Sequence, residues 1–236
     1  MGGQACVLYG AAEFSRDTDF AILADSQNLN RLKSALADLD ASPIAVPPFE
    51  LKYLRKGLAV HFRCKHPEAE NMRVDVMSRM RGVDPFPRLW RRRTTVELPD
   101  GLQCDLLSLP DLVKAKKTQR DKDWPMIRRL IEAHYFQNRL KPKPGQIAFW
   151  LMELRTPDLL VEIAGTHPGI SGRSVSKRPL LAHAARGEMS ALERGLHDEE
   201  SLERERDRTY WRPLKRELEE LRRQALRQSR RSTDSD

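Results

Sequence analysis

The pattern of apolar and polar positions divides the chain into a strand-rich first part and a helical remainder. The run "TDFAILAD" carries Phe20, Ile22 and Leu23 and predicts a strand. In the next segment leucines recur at helical spacing, at Leu29, Leu32, Leu36 and Leu39. Ser26 precedes these leucines and is available as an N-cap. A strand followed by an amphipathic helix is half of an α/β unit.

The middle of the chain contains several further short strands. "GLAVHFRCKH" predicts a second strand and "MRVDVMSRM" a third, joined by the hairpin loop "HPEAEN". "TTVELPDGLQCDLLSL" predicts two more strands around the turn signal "PDG". The first segment, "GGQACVLYGAAEF", is short and apolar, so periodicity leaves helix and strand equally open there.

Helical patterns dominate the chain beyond the last of these strands. Ser108, three residues before Asp111, predicts a capping-box-like helix start, and Asp123 followed by Pro125 predicts another. The linker candidate is "KPKPG" at residues 141–145. We therefore expect a domain over 1–140, a helical region over 141–228 and a disordered tail over 229–236. The helical region contains a narrow apolar stripe, at Leu214, Leu218, Leu221 and Ala225.

These elements predict an α+β fold with α/β-like order, a mixed sheet flanked by helices.

The chain of 236 residues has a net charge of +8, which favours a polyanionic partner such as a nucleoside triphosphate or RNA. The three cysteines form no CxxC pair, which is typical of a reducing compartment. No leader-like start and no apolar run of about 20 residues is evident, so we expect a cytoplasmic protein without a membrane partner.

The segment "HFRCKH" brings together His61, Cys64 and His66. Strand alternation places Cys64 and His66 on the face opposite His61, and the spacing is not typical of a zinc site. A structural role is therefore the favoured interpretation.

The candidate chemistry begins with Asp17 and Asp19 at the start of the first strand. Residues two apart on a strand point to the same side, about 6–7 Å apart at the backbone, where two carboxylates could hold divalent cations. The alternative is a strand-edge pair held by Arg16 and water. Asp75 in "RVDVM" supplies a third strand carboxylate, and Asp105 in "QCDLL" competes for that role.

Phosphate-binding candidates lie on either side of these carboxylates. Gly2 and Gly3 precede a segment that could be a helix, where bare backbone N–H groups can approach a phosphate. A later predicted helix carries cations that could neutralise a polyphosphate, at Lys114, Lys116, Lys117 and Arg120.

Two stretches of the sequence resemble motifs of a known protein superfamily. "GGQACVLYGAAEFSRDTDFAIL" resembles the signature of the DNA polymerase beta-like nucleotidyltransferase superfamily, a glycine pair followed after roughly ten residues by Asp-x-Asp on a strand. It is similar in particular to a bacterial branch that includes abortive-infection toxins acting opposite an antitoxin. "LLSLPDLVKAKKTQRDKDW" resembles the lysine-bearing helix and Arg-x-Lys-Asp segment of that branch. The resemblance covers about residues 2–135.

The resemblance implies a nucleotidyltransferase fold and a role for each matching residue. Asp17, Asp19 and Asp75 would be catalytic and would hold Mg²⁺, with two ions expected. The nucleotide-binding residues would be Gly2, Gly3, Arg16, Lys116, Arg120 and Asp123, with Lys114 competing for the place of Lys116. The expected function is Mg²⁺-dependent transfer of a nucleoside monophosphate from a nucleoside triphosphate to a hydroxyl of RNA, protein or a small molecule.

The same resemblance leaves a second function open. The superfamily places a strand ahead of the glycine pair, and in this sequence Gly2 and Gly3 follow Met1 directly. The alternative expectation is therefore a catalytically inactive nucleotidyltransferase fold that acts as a binding module, for instance within a toxin and antitoxin pair.

Overall fold

The computed structural model describes the backbone of residues 1–233 and the side chains of residues 1–228. Over this range the protein is mixed α/β. The first part consists of α1 (Gly2–Leu8), β1 (Asp17–Ala21), α2 (Ser26–Asp38), β2 (Ser42–Pro43), α3 (Leu51–Lys56), β3 (Val60–Arg63), β4 (Arg73–Met77), α4 (Phe86–Arg91), β5 (Thr94–Glu97) and β6 (Gln103–Leu106). The rest consists of α5 (Leu109–Lys116), α6 (Asp123–Asn138), α7 (Pro144–Glu153), α8 (Pro157–Thr166), α9 (Pro168–Ser174), α10 (Leu181–Arg186) and α11 (Met189–Thr233). None of the helices within residues 1–233 is long and apolar enough to cross a lipid bilayer.

The chain forms two compact units. The first unit comprises Met1–Val7, Glu13–Ala115 and the chain from Arg208 onward, and the second comprises Leu8–Ala12 and Lys116–Asp207. The predicted boundary at residue 140 falls within the second unit, between α6 and α7. Of the tail predicted over 229–236, residues 234–236 lie outside the described residues.

The first unit contains a four-stranded mixed sheet with the strand order β1-β4-β3-β2. β1 and β4 are parallel, whereas β3 pairs antiparallel with both β4 and β2. One face of this sheet is covered by α2, because the strands and the helix share a buried apolar cluster. Its members include Leu29, Leu36, Val60, Phe62, Cys64, Val74 and Val76. Strand alternation turns the intervening residues to the other face.

Several sequence predictions are confirmed at the level of elements. The hairpin of β3 and β4 surrounds a short 3-10 turn at Pro67–Ala69, and β5 and β6 form a separate two-stranded sheet around "PDG". Ser108 caps α5 as predicted, since its Oγ accepts a hydrogen bond from the Asp111 backbone N–H at 3.4 Å and donates to Asp111 Oδ2 at 2.7 Å. The cap of α2 was predicted wrongly. Asp25 rather than Ser26 is the N-cap, and its Oδ1 accepts a hydrogen bond from the Asn28 backbone N–H at 2.7 Å.

The carboxy-terminal part of α11 belongs to the first unit and packs through its apolar stripe. Leu214 lies in a buried cluster with Tyr53 and Leu58, and Leu218 and Leu221 pack against that cluster. This part of α11 therefore packs on the first unit through part of the predicted stripe. Within residues 208–228 most of the other positions are Arg, Lys, Glu or Gln and are exposed.

The second unit is helical and has its own core. Its buried apolar side chains come from α6, α7, α8 and α10, and include Ile127, Leu130, Ile131, Trp150, Leu151, Leu160, Ile163 and Leu181. Arg178 is only 3% exposed, and its guanidinium donates to the carbonyls of Leu151 and Leu154 and to Glu199. A buried charge with this many partners fixes the turn before α10.

Candidate functional site

The register of β1 against β4 places charged residues side by side on the face of the sheet opposite α2. Asp17 is paired with Arg73 and Asp19 with Asp75, while His61 of β3 is paired with Asp75 from the other side. Residues paired across neighbouring strands project to the same face, and Asp17 and Asp19 share a face because they lie two apart. Three carboxylates, one arginine and one histidine therefore share one surface.

Asp75 is bound by His61 and Arg73. Its Oδ1 lies 2.8 Å from His61 Nδ1 and accepts from Arg73 Nε at 2.8 Å, and its Oδ2 accepts from the second guanidinium nitrogen at 3.0 Å. Burial raises the pKa of Asp75, but the hydrogen bonds with His61 and Arg73 outweigh burial and leave the pKa below its ordinary value. Asp75 is therefore held ionised.

Arg73 supplies the positive charge of this face. Its hydrogen bonds with Asp75, aided by the charges of Asp17 and Asp19, raise the pKa of the guanidinium above its ordinary value. Two ionised aspartates on neighbouring strands repel each other, and Arg73 offsets that repulsion.

Arg73 and His61 are the two site residues that sequence reasoning missed. Arg73 is two positions before Asp75, so strand alternation alone places both on one face. His61 was assigned only a structural role within "HFRCKH". Its pairing with Asp75 depends on the register of the β3–β4 hairpin, which a sequence pattern does not fix.

The glycine pair at the start of α1 contacts the carboxylate of Asp19. Gly2 has a φ of +70°, and a Cβ added to it would lie 1.8 Å from Asp19 Oδ2. The backbone N–H of Gly3 donates to the same oxygen at 3.4 Å, and a Cβ on Gly3 would lie 2.2 Å from Ser15 Oγ. Only glycine fits this close approach of α1 to the start of β1.

The competing candidates Asp105 and Arg16 lie outside the pairing of β1 with β4, and their roles stay predictions. Asp105 lies on β6 in the separate two-stranded sheet, where Thr95 donates to it at 2.6 Å and Arg93 pairs with it at 2.9 Å. Arg16 is exposed just before β1, and the arginine that bonds to the carboxylate face is Arg73.

The second motif lies in the second unit, where its residues bind one another. Asp123 is 2% exposed and accepts hydrogen bonds from Thr118 Oγ1 at 2.5 Å, Arg120 Nε at 2.7 Å and Lys116 Nζ at 3.3 Å. Burial raises the pKa of Asp123, but the charge of Lys116 and the hydrogen bonds with Thr118 and Arg120 bring it below its ordinary value. This cluster fixes the turn between α5 and α6. A role for these residues in nucleotide binding stays a prediction.

The residue types of the carboxylate face suit a divalent cation. Oxygen ligands from Asp17 and Asp19 suit Mg²⁺, and Asp75 is the directly paired neighbour of Asp19. Within residues 1–228 no three acidic, histidine or cysteine side chains already converge closely enough to hold a metal ion. Both oxygens of Asp75 are bonded to Arg73, so Arg73 would have to move before Asp75 became a ligand.

The chain was also compared with known proteins. It matches no family model, no curated protein and no solved structure. The resemblance to nucleotidyltransferases therefore rests on the residues of this sequence.

Proposed function

We propose that the protein is a Mg²⁺-dependent nucleotidyltransferase that moves a nucleoside monophosphate from a nucleoside triphosphate to a hydroxyl acceptor. The observation that carries this proposal is the pairing of Asp19 with Asp75 on adjacent parallel strands, with Asp17 on the same face. The contact of Asp19 with Gly2 and Gly3 supports it further, because a glycine pair beside an Asp-x-Asp strand is the arrangement that the resemblance implies.

In the proposed reaction the oxygen of an acceptor hydroxyl forms a new bond to the α-phosphorus, and the hydroxyl proton passes to water or to the departing pyrophosphate. The bond between that phosphorus and the bridging oxygen breaks, and pyrophosphate leaves with the electron pair. Mg²⁺, when bound, neutralises the charge that develops on the attacking and leaving oxygens. Asp17 and Asp19 would hold the metal.

Asp75 and Arg73 have complementary parts in this proposal. Asp75 is ionised and so accepts a hydrogen bond from the acceptor hydroxyl and orients it. Arg73 exchanges its bonds with Asp75 for bonds to the phosphates, since a guanidinium binds either kind of oxygen anion through the same pair of N–H groups.

Transfer of label tests the proposal. The purified protein is incubated with Mg²⁺ and α-³²P-labelled triphosphates, with RNA, protein and small alcohols as acceptors. We expect labelled product from the natural sequence and none from the double variant Asp17→Asn, Asp19→Asn. The matched control is Asp38→Asn with Asp158→Asn, two exposed carboxylates elsewhere, which should keep full activity. Undiminished labelling by the first double variant would overturn the proposed site.

The contacts of Arg73 favour a second candidate, an inactive fold that acts as a binding module for an antitoxin-like partner. Arg73 already neutralises Asp75 through both oxygens, so this face is stable without a metal ion. If the protein is an inactive binding module, we expect Mg²⁺ to leave its affinity for nucleotides unchanged. The enzyme predicts that Mg²⁺ increases the affinity and that Asp17→Asn, Asp19→Asn abolishes the increase. Calorimetric titrations with and without Mg²⁺ distinguish the two.

A further inference from the structure

A second candidate ligand site lies in the first unit, at the carboxyl ends of β1 and β4. A cleft of about 610 Å³ opens there, lined by the residues that directly follow the two strands, 22–24 and 78–87. Arg55 and Lys56 from the end of α3 and Tyr210 from α11 complete the lining. This volume is typical of small-molecule sites, and ligands of open α/β sheets commonly bind beyond the carboxyl ends of the strands. The cleft is separate from the carboxylate face, because Asp17, Asp19 and Asp75 do not line it.

The described lining is strongly cationic. It contains Arg55, Lys56, Arg79 and Arg81 against the single carboxylate of Asp84. That carboxylate is already neutralised, since Arg92 donates to it at 2.7 Å and thereby lowers the pKa of Asp84. Lys56 is paired with Glu217 at 2.6 Å. The arginines therefore dominate the charge that a ligand would meet.

Two of these arginines are oriented by the backbone and not by a carboxylate. Arg55 Nε donates to the carbonyl of Ala24 at 3.2 Å, and one terminal nitrogen of Arg79 donates to the carbonyl of Arg55 at 3.0 Å. Within residues 1–228 neither guanidinium has an acidic partner. Each keeps further N–H groups for an anion, and a fixed guanidinium fork matches the oxygens of a phosphate.

The other part of the lining is apolar and aromatic. Ile22, Val83, Phe86 and Tyr210 all line the cleft. Tyr210 lies close to the end of α3. A Cβ added to Gly57, which follows α3, would lie 2.7 Å from the tyrosine oxygen. A ligand that satisfies both parts has several phosphates and a flat, largely apolar ring.

We infer that this cleft binds a nucleoside polyphosphate through Arg55 and Arg79 without a metal ion. The inference goes beyond the transfer reaction and stands whether or not the carboxylate face is catalytic. Coordination of phosphates by guanidinium groups needs no Mg²⁺, whereas nucleotide binding beside Asp17 and Asp19 does.

Calorimetry in EDTA tests this inference with ATP, inorganic tripolyphosphate and adenosine as probes. We expect ATP to bind more tightly than tripolyphosphate, and adenosine to bind least. The double variant Arg55→Ala, Arg79→Ala should weaken ATP binding by at least about tenfold. The double variant Asp17→Asn, Asp19→Asn should bind ATP in EDTA with the affinity of the natural sequence. The test of this cleft is therefore independent of whether the proposed transfer reaction occurs.

The matched control removes two cations from α2, Arg31→Ala with Lys33→Ala, both exposed and outside the cleft. It should bind ATP as the natural sequence does. A second variant, Arg55→Lys with Arg79→Lys, keeps the positive charges. It should still weaken ATP binding, because the guanidinium fork is lost. Absence of ATP binding in EDTA, or equal loss in the α2 control, would overturn the inference. Tripolyphosphate binding as tightly as ATP would overturn the nucleoside part of it.

Discussion

The carboxylate of Asp75 is buried and makes three hydrogen bonds. These bonds stabilise the first unit fully only while the carboxyl group is ionised. Replacement by Asn removes the ion pair with Arg73 and leaves the guanidinium without its main partner. We expect Asp75→Asn to lower the free energy of unfolding by about 1–3 kcal/mol at neutral pH. Urea unfolding followed by circular dichroism measures the change, with exposed Asp38→Asn as the control.

The pH dependence of the same residue has a definite sign. The folded pKa of Asp75 lies below the ordinary value of 3.8, so the unfolded chain binds the proton first as the solution is acidified. The contribution of Asp75 is therefore complete above about pH 4 and is lost as the pH falls toward the folded pKa. Asp75→Asn should show a shallower loss of stability over that range. An acid profile identical to that of the natural sequence would contradict the assigned ion pair.

His134 in the second unit also loses stability on acidification, but over a higher pH range than Asp75. Burial lowers the pKa of His134 below 6.5, and its Nδ1 accepts a hydrogen bond from Trp150 Nε1 at 2.8 Å. As the pH falls past the ordinary pKa of histidine, His134 is protonated in the unfolded chain while it stays neutral in the folded protein. The free energy of unfolding therefore decreases as the pH falls from about 7.5 to about 5. Thermal melting of His134→Gln should show a weaker slope over this range. Exposed His197→Gln is the control and should keep the natural slope.

Gly2 is the residue on which the position of Asp19 depends most directly. An alanine there would combine an unfavourable φ of +70° with a Cβ only 1.8 Å from Asp19 Oδ2. Because the carboxylate must move, we expect Gly2→Ala to reduce nucleotidyl transfer by at least about tenfold. Gly165→Ala in α8 is the matched control, since an added Cβ there meets nothing within 4 Å. Full activity of Gly2→Ala would show that the glycine contact has no part in transfer.

The carboxy-terminal part of α11 packs in the first unit through leucines together with Tyr210 and Trp211. Leu214 is 9% exposed and packs with Tyr53 and Leu58, whereas Leu226 on the same helix is 63% exposed. We expect Leu214→Ala to destabilise the protein by about 2 kcal/mol, because it leaves a cavity at this contact. Leu226→Ala should change stability by less than about 0.5 kcal/mol. Equal effects of the two substitutions in urea unfolding would contradict the packing of this helix.

Local signals predicted elements well where one residue pattern dominates. The hairpin of β3 and β4, the "PDG" hairpin and the cap of α5 all follow from nearby residues. The cap of α2 was less certain because Asp25 and Ser26 are adjacent and both suit that position. The candidate site needed more than local signals. Strand alternation places Asp17 with Asp19 and Arg73 with Asp75, but only the register of β1 against β4 places Asp19 beside Asp75.

For the whole molecule, the mixed α/β class was predictable and the division into units was not. The sequence suggested a boundary at the proline-rich linker, since such segments often join domains. The chain instead returns to the first unit through α11, about 90 residues after it leaves at Lys116. Contacts between distant parts of a chain depend on tertiary packing, which local composition does not encode.

We propose above that Asp17 and Asp19 of β1 hold a divalent cation for nucleotidyl transfer, beside Asp75 of β4. A crystal grown with Mn²⁺ and a non-hydrolysable triphosphate analogue tests it most directly, by anomalous scattering from the metal. We expect a metal peak contacting Asp17 and Asp19, with Arg73 moved from Asp75 toward the phosphates. A crystal with bound analogue, no metal peak at these aspartates and Arg73 still bonded to Asp75 would contradict it.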